Sequence, residues 1–249
     1  MTWSIVTHDP ATGAFAVAVA TRAFAVGASC PFLRAGVGAV STQSMTNRYL
    51  GPAILDGLAR GLDPASAIEG ALAGDAGSGL RQVHAIDRHG RTAAWTGRNC
   101  VEWCGSVAGA LIAGGGVAGG GVSVAGNMLA GEAVIAETLT SFQAEEKLPL
   151  PERLMRAMLA GQEAGGDRRG RQSAAMRLIT TEDFPDLDLR VDDHPDPLAE
   201  LDRLLGLWRE QAESRLAAAP RRANPAGFID LDAIEAGWRA RGIDLHFRR

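Results

Sequence analysis

The chain opens on a hairpin, and that opening constrains the fold more than any other segment. Thr2-Trp3-Ser4-Ile5-Val6-Thr7-His8 carries apolar residues at 3, 5 and 6 and reads as a strand. Asp9-Pro10-Ala11-Thr12-Gly13 follows as turn chemistry: proline pre-sets φ, glycine tolerates positive φ, and aspartate bonds its own backbone. Phe15-Ala16-Val17-Ala18-Val19-Ala20 then returns as a nearly continuous apolar run, the pattern of a buried strand. A hairpin of this kind holds residue 2 rigidly instead of leaving it on a frayed tail.

Later segments extend the pattern. Val37–Thr42 reads as a further buried strand. Leu50, Ile54, Leu55 and Leu58 share a helix face, and Asp63 with Pro64 starts a second helix whose Ile68 and Leu72 point inward. A second hairpin runs from Arg81 to Thr96 around Arg88-His89-Gly90, with weaker strand signals from Val101 to Ala125. Two helices are expected over 128–146 and 151–165, strands over 174–181 and 187–192, and an amphipathic helix over 197–218. Strands and helices thus come in segregated pairs, not in strict alternation. That order suits an α+β fold, a four-layer αββα sandwich of two packed, mainly antiparallel sheets flanked by helices. Residues 1–219 form the expected domain, and 220–249 a short C-terminal appendage with one small helix over Asp230–Arg241.

Composition excludes several functions. The formal charge is −4, without a basic block longer than pairs such as Arg168-Arg169, which argues against nucleic acid as a partner. Polar residues interrupt every apolar stretch short of a membrane span, and no signal pattern opens the chain. Three cysteines, Cys30, Cys100 and Cys104, suggest reduced thiols and a cytoplasmic location over a disulfide framework. No metal or organic cofactor is expected. The run Gly114–Gly121 contains G-x-G-x-x-G only because it is nearly all glycine; it lacks the Gly-Lys-Ser/Thr ending of a phosphate loop and is read as a surface loop.

Thr2 is the sharpest chemical feature. Threonine is small enough for Met1 to be removed before it, which leaves Thr2 with a hydroxyl beside a free α-amine of ordinary pKa about 7.7–8.0. The amine can take the hydroxyl proton and make the residue an acyl acceptor without a histidine. Arg22, Gln43 and Asn47 cluster after core strands, where loops present side chains to a cleft. Asn127 precedes an expected helix and is either an oxyanion donor or an ordinary helix cap. Asp167, Arg169 and Gln172 lie between a helix end and a strand, either as forks for a carboxylate or amide or as a structural network. Asp192-Asp193-His194 is read as a structural turn in preference to a cation site.

Taken together these stretches resemble the uncharacterised family called domain of unknown function 1028, grouped with the N-terminal-nucleophile hydrolases. The matching segments include Ser4-Ile5-Val6 with Asp9-Pro10 and Thr12-Gly13, Ala18–Arg22, Ala35–Val40 with Thr42-Gln43, and Thr46-Asn47. They continue through Arg81-Gln82, Thr96-Gly97, Gly126–Leu129, Gly165-Gly166-Asp167 with Arg169-Gly170, Gln172–Ala175 and Leu189–His194. The resemblance implies the αββα sandwich, with Thr2 at the active cleft. Ser106 and Ala125 depart from the family pattern, which has a histidine and a glutamine there.

The resulting expectation is a hydrolase of an amide or related acyl bond in a small molecule. Thr2 is its nucleophile, Asn127 holds the oxyanion, Arg22 tunes the amine or orients substrate, and Gln43, Asn47, Asp167, Arg169 and Gln172 bind substrate. A small-molecule-binding protein with the same sandwich and an assembly subunit are the alternatives. The apolar helix faces also suggest a homo-oligomer.

Overall fold

The computed structural model describes residues 2–113 and 116–247. It is a mixed α+β chain with two antiparallel sheets. Ten strands and seven α-helices are seen among the described residues: β1 (Thr2–Asp9), β2 (Ala14–Thr21), β3 (Pro31–Arg34), β4 (Gly38–Ser44), α1 (Leu50–Ala59), α2 (Pro64–Leu72), β5 (Arg81–Asp87), β6 (Thr92–Thr96), β7 (Gly105–Ala113), β8 (Gly116–Asn127), α3 (Ala133–Ala144), α4 (Leu150–Glu163), β9 (Ser173–Ile179), β10 (Leu187–Val191), α5 (Pro197–Leu207), α6 (Glu213–Ala218) and α7 (Leu231–Ala240). One sheet runs β10-β9-β2-β1-β8-β7 and the other β3-β4-β5-β6.

The opening hairpin is the centre of the larger sheet. Asp9 fixes its turn, its carboxylate accepting from the Ala11 N–H at 3.0 Å and the Thr12 hydroxyl at 2.6 Å. Gly13 supplies the left-handed φ of 73° that lets the chain re-enter β2. β1 is then paired on both sides, with β2 in the register Trp3↔Ala20 and with β8 in the register Thr2↔Asn127. Residue 2 is therefore clamped from the first residue of the strand.

Side-chain alternation assigns the faces. On the smaller sheet, Val40, Val83 and Ala85 meet Leu50, Ile54, Leu55 and Leu58 of α1 and Ile68 and Leu72 of α2 in one apolar cluster. Full burial of each such Leu, Ile or Val contributes about 1.5–3 kcal/mol. Asp63 caps α2, accepting from the N–H groups of Ala65 and Ser66. The opposite faces of the two sheets meet. Val6, Phe15 and Val17 join Ala39 and Ile86 in a second cluster. On the other side of the larger sheet, α4 packs on β1 and β2, and α3 on β7 and β8.

Two expectations need correction, and one strand was missed. Gly116–Gly121 belongs to β8 instead of a surface loop, while residues 114 and 115 lie outside the described residues. A glycine is needed at 121 because a Cβ there would collide with the Gly90 carbonyl. The helix expected from Met128 starts at Ala133. β3 was not evident in the sequence; it is a four-residue edge strand paired with β4 alone.

The chain divides into two compact units, Met1–Leu201 and Asp202–Arg249. The division falls within α5, ahead of the boundary at residue 219 that composition suggests. The expected single helix over 197–218 is α5 and α6 joined by a π-helical turn, Trp208–Ala212. In the second unit, α7 is capped by Asp230, and Trp238 is buried with its ring 4.8 Å from that of Phe247. Among the described residues no helix is long and apolar enough to cross a membrane.

Candidate functional site

Thr2, Ser4 and Val6 share the β1 face turned to the second sheet. Val6 contributes to the apolar cluster, Ser4 to a buried polar network, and Thr2 to a cavity of about 410 Å³. The Thr2 side chain is nearly buried, and its Oγ1 donates to the Thr21 Oγ1 at 3.2 Å. Thr21 ends β2, where the hairpin register sets it beside Thr2. Sequence reasoning passed over Thr21, although that register, counted back from the Asp9 turn, is enough to find it.

Loops supply the rest of the cavity, including Ser29, Cys30, Thr46, Asn99 and Met128. Backbone conformations here are unusual. The non-glycine residues at positive φ, among those described, are Ala25, Ser44 and Met128, at 54°, 71° and 53°. Ser44 and Met128 line this cavity, and Ala25 lies between its lining residues Phe24 and Val26. Such conformations cost of order 1–3 kcal/mol each and cluster at functional sites. Burial pushes the Cys30 thiol up to about 11, against the opposing hydrogen bonds of Ser29 and Thr46, so it is a poor nucleophile.

Beneath Thr2 the sheets enclose a polar network whose hydrogens can be assigned. Gln43 Nε2 donates to Gln82 Oε1 at 2.9 Å and to the Ala125 carbonyl at 3.1 Å. Gln43 Oε1 must then be the acceptor for the Ser4 hydroxyl at 2.7 Å. With its one proton spent, Ser4 Oγ accepts from His84 Nε2 at 2.8 Å, and His84 Nδ1 accepts from the Ser123 hydroxyl at 3.0 Å. His84 is fully buried, and desolvation lowers its pKa to about 3. It is held neutral.

The expected site residues separate into three groups. Gln43 and Asn127 belong to the buried network, not to the cavity lining. Asn127 is the last residue of β8, facing Thr2, and its Nδ2 donates to Gln82 Oε1 at 2.9 Å. Its Oδ1 is buried without a hydrogen-bond partner among the described residues. The backbone N–H groups after it are committed as well, Met128 to the Val101 carbonyl and Leu129 to that of Trp103.

Asn47 donates to Asp75 at 2.8 Å, and Arg81 Nε donates to the same carboxylate at 2.9 Å. These contacts, Arg81 first, hold the Asp75 carboxyl well below the usual range. Arg81 also donates to the Met45 carbonyl, so this cluster anchors the rim of the cavity.

Arg22, Asp167, Arg169 and Gln172 come together beside Thr21. Asp167 accepts the Arg22 N–H at 2.6 Å and the Arg169 N–H at 2.9 Å, while its ion pair with the Arg169 guanidinium is 3.3 Å. Arg22 donates to Gln172 Oε1 at 2.6 Å. Of this group, Arg169 lines the cavity. Asp192, Asp193 and His194 bond to Arg190, Gln172 and Asp196 respectively, each to a different partner.

The model of the family of unknown function (DUF1028) matches residues 2–201. The chain belongs to this family. Its match covers β1 to β10 and all the residues around Thr2 just described. A crystal structure of a protein from Silicibacter pomeroyi, assigned to the same family, is similar at a TM-score of 0.80 and 29% identity, over 92% of this chain and 96% of that one. No curated protein matches. Ser106 and Ala125 are opposite one another on β7 and β8.

Proposed function

We propose that the chain is an N-terminal-nucleophile hydrolase of the αββα type, acting on an amide or related acyl bond of a small molecule. One observation carries the reading. Thr2 opens the central strand β1, paired on both sides, and its hydroxyl lines a ligand-sized cavity. Contact between the two sheets and the helix pairs on their outer faces support the sandwich. The displaced backbone at Ala25, Ser44 and Met128 supports this cavity as the site.

Removal of whatever precedes Thr2 gives its nitrogen a free pair of electrons. The amine takes the hydroxyl proton, and Oγ1 forms a bond to the substrate carbonyl carbon. As the tetrahedral adduct collapses, the carbon–nitrogen bond breaks, and the leaving amine takes the proton back from the ammonium. Water then adds to the Thr2 ester with the amine again as base, releasing the acid and restoring the hydroxyl. Thr21 Oγ1 orients the nucleophile. Asn127 spends its nitrogen on Gln82 Oε1 and the Thr2 carbonyl inside the buried network; it is suited to hold the Thr2 backbone, not the oxyanion. The Asn99 amide and Thr46 hydroxyl are lining donors that can meet the carbonyl oxygen.

The test is intact mass before and after treatment with a β-lactone. The expected result is a chain beginning at Thr2 that gains one adduct mapping to that residue. Thr2→Ala should lose the adduct and all turnover with an unchanged melting temperature. A retained Met1, or a free Thr2 that never reacts, refutes the reading.

A further inference from the structure

Resting on that reading, the cavity lining also identifies a substrate class. Arg169 is the one charged side chain lining the cavity among the described residues, and no carboxylate lines it. Its anchor is fixed: Asp167, whose side chain is 1% exposed, accepts the Arg169 N–H, and Gly170 follows with a φ of 110°. Asp167 accepts the Arg169 guanidinium as well as the backbone N–H groups of Arg22 and Arg169, and so fixes the base of this side chain at the cavity wall. The Arg169 side chain is 41% exposed, within reach of an incoming anion.

The remaining character of the cavity is apolar. Phe24, Met45, Leu80 and Val101 all line it, and all four are among the large hydrophobic side chains left exposed by the fold. Four such residues gathered at one opening mark a surface that takes an apolar group. A guanidinium fork matches a carboxylate in geometry and charge.

We infer that the site takes a small amide bearing one carboxylate and one apolar substituent, of which an N-acyl amino acid is the simplest form. Arg169 holds the carboxylate, the Phe24–Met45–Leu80–Val101 rim holds the apolar chain, and the amide between them meets Thr2. Hydrolysis consumes one water, the acyl carbon gaining the hydroxyl and the amino acid nitrogen gaining the hydrogen.

The probes are hexanoylglycine and its neutral counterpart hexanoylglycinamide, titrated calorimetrically into the full chain carrying Thr2→Ala. Hexanoylglycine should bind about tenfold or more tightly than the amide, the usual effect of a charge-assisted hydrogen bond. Arg169→Met should remove that preference, Arg169→Lys should keep part of it, and both should melt with the Thr2→Ala parent. Equal binding of the two probes, a preference that survives Arg169→Met, or no binding of either would overturn the inference. Turnover by the chain with Thr2 intact is scored separately. Arg169-dependent binding of hexanoylglycine without hydrolysis sinks the hydrolase and leaves the carboxylate site standing. Hydrolysis indifferent to the carboxylate does the reverse.

Discussion

His84 offers a quantitative test of the polar layer between the sheets. It is fully buried, and its ring nitrogens are bonded to Ser4 and Ser123, so a second proton would place an unscreened charge between the sheets. Its folded pKa is about 3 against an ordinary 6.5. The folded value is the lower one, so the unfolded chain binds the extra proton first. Stability from the neutral His84 is thus fully present above pH 6.5 and lost as pH falls from 6.5 toward 3, at up to about 1.4 kcal/mol per pH unit. Between pH 7 and pH 5 the loss integrates to about 2 kcal/mol. His84→Gln keeps an amide donor for Ser4 but cannot titrate. Urea unfolding of both proteins at pH 7 and pH 5 isolates the effect, because the other titrating groups, including the buried His8, are common to both. The chain with His84 should lose about 2 kcal/mol more than the variant over this interval. Parallel losses would show that His84 accepts a proton in the folded state, and the assignment of Nδ1 as acceptor from the Ser123 hydroxyl would fall with it.

Other positions make sharper structural demands. Gln43→Leu removes the donor to the Ala125 carbonyl and the acceptor of the Ser4 hydroxyl, and leaves Gln82 Oε1 with Asn127 alone; it should cost about 2–4 kcal/mol in denaturant unfolding, more than a single exposed hydrogen bond explains. Gly121→Ala drives a Cβ into the Gly90 carbonyl and should cost about 1–3 kcal/mol, lowering the thermal midpoint; a neutral result would refute the close approach of β8 to the β5–β6 turn.

Local chemistry made much of the fold legible. Asp9 and Gly13 announce the first turn, and Asp63 with Pro64 announces α2, because each acts within a few residues of itself. β3 was hidden for the opposite reason. Its four residues, Pro31 to Arg34, are too few to show alternation, and Pro31 sits at the first position of an edge strand, where it costs no ladder bond. The glycines of β8 misled because composition alone marks a loop, whereas here Gly121 serves the approach of another backbone.

The site was legible only where it lay on the hairpin. Thr2 is visible because position and residue type coincide, and Thr21 follows from register. The alternation in Gln82-Val83-His84-Ala85 reads as a strand with one face in water; only the second sheet, a long-range partner, converts that face into a buried network. The same non-local assembly changes the roles of the other candidates. Gln43 and Asn127, polar residues at strand ends, are drawn beneath Thr2 to set its backbone, and Asn47 is drawn outward to Asp75 to set the rim. Arg169 gains its place because Asp167 clamps the N–H groups of both residue 22 and residue 169, tying the end of β2 to the segment before β9. A buried carboxylate that binds two backbone N–H groups and the guanidinium together fixes where this arginine stands, and that is what turns a loop residue near Thr2 into the charged wall of its cavity.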